Sequence, residues 1–325
     1  LFSLLALQID VNKLGKGNYL LQNFAVFIDR QLYAKPYTAM NEAIELYIKE
    51  IYENREFLEP VYTWQDIVHA GENNKIAALL TIEDAGNLAS ELEGFSEKAL
   101  FDQIYYRLIN AYIQGVRLIT LSWNYPTIFS KPNVTLCPLN EVTPNTTEGL
   151  TPLGFQLIDL MENMGFMIDV SHLSDKGFYD VLKHCTKAPL ASHSSARKIT
   201  PMARNMSDEM IQALARKGGI IGLNFFGKFI KPFIGLGMEF SHPVSNPYTS
   251  IEDMATHLRH MIKIGGIESV ALGSDFDGID TNLELKDCSY MPLFAEKLEN
   301  LGFTYSEIEH IFYKNVLRYY KESLY

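Results

Sequence analysis

The sequence predicts an α/β protein of the (β/α)8 barrel class. Short apolar runs alternate with segments of helical periodicity, and no linker divides them. The runs are near-continuous in apolar residues, as strands are when both faces are covered. Four of them close on a side chain able to bind metal or move a proton: Glu83, His172, His193 and Asp275. Residues at the C-terminal ends of barrel strands line the mouth where such folds do their chemistry.

The opening Leu1-Phe-Ser-Leu-Leu-Ala-Leu7 is expected to be a helix packed on the core. It lacks the basic n-region and the small-residue cleavage site of a secretory signal. Strands are expected at 19–28, 77–82, 116–121, 166–170, 189–191, 219–225 and 269–272. Helices are expected at 37–52, 95–114, 151–163, 176–185, 207–217 and 250–264. Ser96 opens the second of these and Gly115 ends it. Ser207-Asp-Glu-Met pairs an N-cap with acids in the first turn, where the helix dipole favours them. These runs number seven, and the fold needs eight strands. The strand expected to be missing is the first, because the chain opens in what reads as a helix that follows a strand. The Gly-, Pro-, Asn- and Ser-rich stretches 125–150 and 227–249 follow strands, so they are expected at the mouth.

With 325 residues, 47% of them hydrophobic, the chain suffices for one large core, and 1–325 is expected to be a single domain. The net charge of −11 argues against a nucleic-acid partner, which needs a basic face. Cys137, Cys185 and Cys288 are widely spaced with no CxxC, which fits a reducing, cytoplasmic setting better than a disulfide framework. No apolar run approaches the ~20 residues of a membrane helix.

His172 and His193 end runs on neighbouring strands, which lie ~4.8 Å apart. One ion or an ion pair is then within reach of both rings, whereas a lone strand-end histidine is more often a satisfied core residue. Asp169, three before His172, alternates to the wrong face for the same site. Ser192, Ser194 and Ser195 could hydrogen-bond around His193. Glu83 could bridge two metals ~3.5–4 Å apart, or serve as a first-turn acid, a task that suits Asp84 better. Asp275 lies in Gly273-Ser-Asp-Phe-Asp-Gly278, where glycines let the backbone bend around a ligand. It could be a ligand or a general acid/base, with Asp277 as a loop residue. Arg204, or alternatively Arg197, could clamp a carboxylate through a bidentate contact. His69, His184, His257, His260 and His310 read as structural or exposed, and His242 could reach the mouth from its long loop.

In order along the chain, these motifs resemble the membrane (renal) dipeptidase family of zinc peptidases. The matching stretches are Thr81-Ile-Glu83, Gly115 to Asn124, Gly149-Leu-Thr-Pro-Leu-Gly154, Ile168-Asp-Val-Ser-His-Leu-Ser-Asp175, Ser192-His-Ser-Ser-Ala-Arg197, Arg204-Asn205 and Gly273 to Gly278. The resemblance implies a metal-dependent hydrolase barrel with a binuclear zinc site and a dipeptide substrate. On that pattern Glu83 bridges the metals and His172 and His193 complete one site. Arg204 takes the substrate carboxylate, and Asp275 handles the proton of the tetrahedral intermediate. A metal-bridging hydroxide is the implied nucleophile, and a homodimer the implied assembly. Trp123, followed by Asn124, stands where many members carry a substrate-contacting histidine, a form resembling a bacterial-type subgroup. The family's His-x-Asp ligand pair, at the end of its first strand, has no counterpart in this sequence. Two other readings stand beside dipeptide hydrolysis. One is a related hydrolase of N-acyl amino acids or lactams. The other is a catalytically silent barrel, which the absent His-x-Asp favours.

Overall fold

Parallel strands dominate, as the continuous apolar runs predict. The computed structural model describes residues 7–134, 143–231, 248–279 and 282–324. Residues 1–6 of the expected opening helix, Cys137, His242 and parts of both expected mouth loops lie outside these described residues. Among the described residues the strands are β1 (Leu21–Phe27), β2 (Leu58–Pro60), β3 (Ile76–Glu83), β4 (Val116–Thr120), β5 (Met167–Asp169), β6 (Ile221–Leu223) and β7 (Val270–Leu272). The helices are α1 (Val11–Lys16), α2 (Pro36–Glu53), α3 (Trp64–Glu72), α4 (Glu97–Ile113), α5 (Pro152–Met164), α6 (Asp175–His184), α7 (Asp208–Arg216), α8 (Gly227–Ile230), α9 (Ile251–Gly265), α10 (Met291–Asn300), α11 (Tyr305–Glu309) and α12 (Asn315–Ser323).

The chain divides into two compact units. One comprises Leu20–Asn140, Pro144–Leu190 and Arg318–Tyr325. Its sheet runs β1-β3-β4-β5 in parallel, with β2 pairing the start of β3. The register sets Phe27 beside Glu83 and Thr120 beside Asp169. Ile76 to Ile82 are all buried, so β3 is the spine of this unit and Glu83 is where it emerges. Each of Leu79, Leu80 and Ile82 stabilises the fold by about 1.5–3 kcal/mol through burial. Tyr319 and Tyr320 pack fully buried, donating to Ala188 O at 2.8 Å and Asn23 Oδ1 at 2.9 Å.

The other unit comprises Leu1–Tyr19, Glu141–Thr143 and Ala191–Leu317. There β6 and β7 pair in parallel, Leu223 beside Leu272. Gly222 and Gly273 let their strands close on residue 192. A Cβ on either would meet Ser192 O at 2.1 or 1.9 Å. Capping follows the sequence: Ser207 accepts from Met210 N, and Ser250 forms a capping box with Asp253.

Two expectations change. The expected strand at 189–191 is reduced to single bridges, Asp169 to Leu190 and Ala191 to Ile221. β2 and α3 went unread, as did α10, α11 and α12; Leu58-Glu-Pro60 is too short and too polar to show as a strand.

Candidate metal centre

Glu83 ends β3, and the chain turns sharply after it. Asp84 takes φ 76°, and its carboxylate accepts from Gly86 N at 2.9 Å and Arg30 Nε at 2.7 Å. Burial pushes the Asp84 carboxyl up, and the Arg30 guanidinium opposes that rise. Asp84 therefore does the structural work expected of it and pins the backbone next to Glu83.

After β5, Asp169 accepts from the Thr120 hydroxyl at 2.6 Å and from Ser171 N at 2.9 Å. These contacts hold a turn in which His172 takes φ 70°. A left-handed residue that is not glycine costs roughly 1–2 kcal/mol. The turn is over-determined, since Asn133 N also donates to His172 O at 2.9 Å. The reward is the position of the ring. His172 Nε2 lies 3.0 Å from Glu83 Oε1, and Nδ1 lies 2.9 Å from Asn124 Oδ1. An amide oxygen only accepts, so Nδ1 carries the hydrogen, given the amide orientation assigned. In the neutral form that binds metal, Nε2 would then turn its lone pair toward a carboxylate oxygen. Two acceptors at that distance suit a shared cation, and a metal-ligating histidine whose other nitrogen donates to an oxygen is the usual arrangement. The Glu83–His172 pair fits a metal on this count.

Trp123 lies near the His172 ring. Its ring centroid is 4.7 Å from Phe27, 5.3 Å from Tyr125 and 6.3 Å from His172. The Tyr125 hydroxyl donates to Asp29 at 3.1 Å, and burial first, then that bond, push it up to about 12. The Arg30 guanidinium lies 5.7 Å from the Tyr125 ring centroid. The sequence reading missed this Asp29–Tyr125–Arg30–Asp84 network. Its one signal was Asp29-Arg30 directly after an apolar run.

In the other unit, His193 Nδ1 meets Ser192 Oγ at 2.7 Å. Arg204, 4% exposed, donates to Ser194 Oγ at 2.9 Å and to His193 O at 2.8 Å. Ser192 and Ser194 thus meet the expectation of hydrogen bonds around His193. Ser195 instead donates to Asn224 O at 3.3 Å. Asp275 takes φ 61°, and its Oδ2 accepts from Asn224 Nδ2 at 3.1 Å. Asp277 accepts from Gln8 N and Ile9 N at 2.6 and 3.2 Å, the loop role expected of it. Arg197 is committed to backbone, donating to Asn205 O and Ala203 O.

The other described histidines have local partners. His69 meets Asn73, His184 meets Asp159, His260 meets Asp208 and His310 meets Asn315. His257 is fully buried between Ala196 N and Ile230 O, and burial lowers it to about 4.

Within the first unit the structure brings together Glu83, His172, Asn124 and Trp123. Within the second it joins Arg204 to the His193 backbone and seats Asp275 against Asn224. Asn224 was missed, although a polar residue inside the run Gly219 to Phe225 was a visible signal.

Comparison with known proteins shows the family and the fold. The family described as membrane dipeptidase (peptidase family M19) matches residues 2–324. An uncharacterized dipeptidase of Schizosaccharomyces pombe is 32% identical over 329 residues, covering 97% of this chain and 72% of that one. The crystal structure of dipeptidase AC, a family M19 metallopeptidase, superposes with TM-score 0.79 at 21% identity, covering 98% of this chain and 90% of that one. A metallopeptidase of Rhodobacter sphaeroides, solved with a phosphinate mimic of the dipeptide L-Ala-D-Ala, gives TM-score 0.77 at 20% identity, covering 98% and 91%. The structural likenesses show the fold, the α/β barrel class expected from sequence; the parallel strands agree with it, although among the described residues they form two separate sheets. Among the described residues no helix is long and apolar enough to cross a membrane.

Proposed function

The chain belongs to the membrane dipeptidase family of metallopeptidases, and on that premise we propose that it hydrolyses dipeptides with zinc held by Glu83, His172 and His193. These are the residue types that zinc hydrolases use, and three is the number of protein ligands that leaves a position open for water or substrate. The observation that carries the reading is His172 set between Glu83 and Asn124. When bound, zinc would polarise the scissile carbonyl and acidify water.

The protein's own groups supply the rest. Arg204 binds the terminal carboxylate of the substrate, a task suited to a planar, permanently charged fork. Asp275 takes the proton of the attacking water and returns it to the leaving amine. Trp123 and Asn124 flank the substrate, Asn124 also holding His172. The dipeptide mimic bound by the Rhodobacter sphaeroides relative supports this substrate class. We place these groups in one catalytic domain, and family likeness supports a homodimer.

Metal analysis of the purified chain and a dipeptide panel test the proposal together. Stoichiometric zinc with release of free amino acids is the expected result. No turnover of any dipeptide at full metal loading would overturn it. The absent His-x-Asp favours one rival, the catalytically silent barrel, and a chain that binds no zinc would decide for that rival.

A further inference from the structure

Asn224 follows directly on β6 and is fully buried. A buried amide has four hydrogen-bonding positions to satisfy, and here each end has a defined partner. Oδ1 accepts from Phe226 N at 2.6 Å, which fixes the orientation of the amide. Nδ2 then points to Asp275 Oδ2 at 3.1 Å. The backbone is held as well: Asn224 O accepts from Ser195 Oγ at 3.3 Å, and Asn224 N donates to Ser194 O at 3.4 Å. The amide therefore has little freedom to follow Asp275, and Asp275 must settle on it. Asp275 has its own constraint, the left-handed φ of 61° in a loop bounded by glycines.

We propose that Asn224 is a positioning residue for Asp275. It anchors one carboxylate oxygen of the group that handles the proton and stabilises its ionised form. The inference rests on the reading of Asp275 as the proton-handling group. A donated hydrogen bond favours the charged carboxylate, so loss of the amide makes Asp275 easier to protonate. A second carboxylate at position 224 acts in the same direction and more strongly, through like-charge repulsion. A merely structural asparagine would change stability and leave the titration of Asp275 in place.

Asn224→Ala, Asn224→Asp and Asp275→Asn test this, singly and in the combination Asn224→Ala with Asp275→Asn. The acidic limb of kcat/KM against pH is expected to move up by about one pH unit in Asn224→Ala, the scale of one hydrogen bond to a charged group. It should move further in Asn224→Asp. The double variant should be no slower than Asp275→Asn alone, because residues acting through one group are not additive. Carbon-13 NMR titration of the Asp275 carboxyl in metal-free protein should show the same upward move, independent of turnover. If Asn224→Ala folds poorly, the near-isosteric Asn224→Asp carries the same test. Unmoved profiles and an unmoved carboxyl titration in both Asn224 variants would overturn the proposal. Full activity in Asp275→Asn would instead overturn the reading of Asp275 itself.

Discussion

His172 is held at both ring nitrogens, Nε2 3.0 Å from Glu83 Oε1 and Nδ1 2.9 Å from Asn124 Oδ1. The outer contact sets which nitrogen faces Glu83 and a metal. Asn124→Ala should therefore weaken zinc binding by about 10–100-fold, the usual cost of losing such a partner. Competition with a chromophoric chelator measures it. Unchanged affinity would remove Asn124 from any part in orienting the ligand.

Arg204 donates from two guanidinium nitrogens to Ser194 Oγ and His193 O. Lysine keeps the charge and loses the planar fork. In Arg204→Lys, KM for dipeptides with a free C-terminal carboxylate should rise about tenfold, while C-terminally amidated analogues change little. Equal losses on both substrates would mean that Arg204 serves only the His193 backbone.

A methyl group at position 273 would meet Ser192 O at 1.9 Å. That atom belongs to backbone, so it cannot swing aside. Gly273→Ala should cost ~2 kcal/mol as overpacking and lower Tm by about 3 °C in a chain of this size. Calorimetry reads this directly. A variant as stable as the parent would show that the strand ends separate easily.

His257 is buried and lowered from 6.5 to about 4. Its folded value lies below its unfolded one, so the unfolded chain binds the proton first as pH falls. Stability from keeping this ring neutral is fully present above pH 6.5 and is lost as pH falls toward 4. Between pH 7 and pH 5 the loss is about 2 kcal/mol. Urea unfolding at the two pH values should show it, and His257→Gln should shrink the difference. An unchanged difference in that variant would assign the pH dependence to other groups.

Much of the fold was legible in sequence because helix and strand signals are local. Ser96 and Ser207 cap the helices they were expected to open. β2 was not legible: its three residues become a strand only by pairing with Ile76 to Ala78. The bridge at 190 is similar, because an apolar run does not say how far a ladder will extend. Asn224 was visible as a polar residue in an apolar run, but its partner lies 51 positions away.

By itself the sequence determined the kind of chemistry: which strand ends carry Glu83, His172, His193 and Asp275, and that no His-x-Asp accompanies them. Tertiary structure decided how those groups are held. It set the ring nitrogen of His172 that faces Glu83, the carboxylate oxygen of Asp275 that meets Asn224, and the use of Arg204 on the His193 backbone. Residue type and periodicity are properties of neighbours along the chain. A hydrogen-bond partner such as Asn124, 48 positions from His172, is chosen by strand register and turn geometry, which exist only after folding.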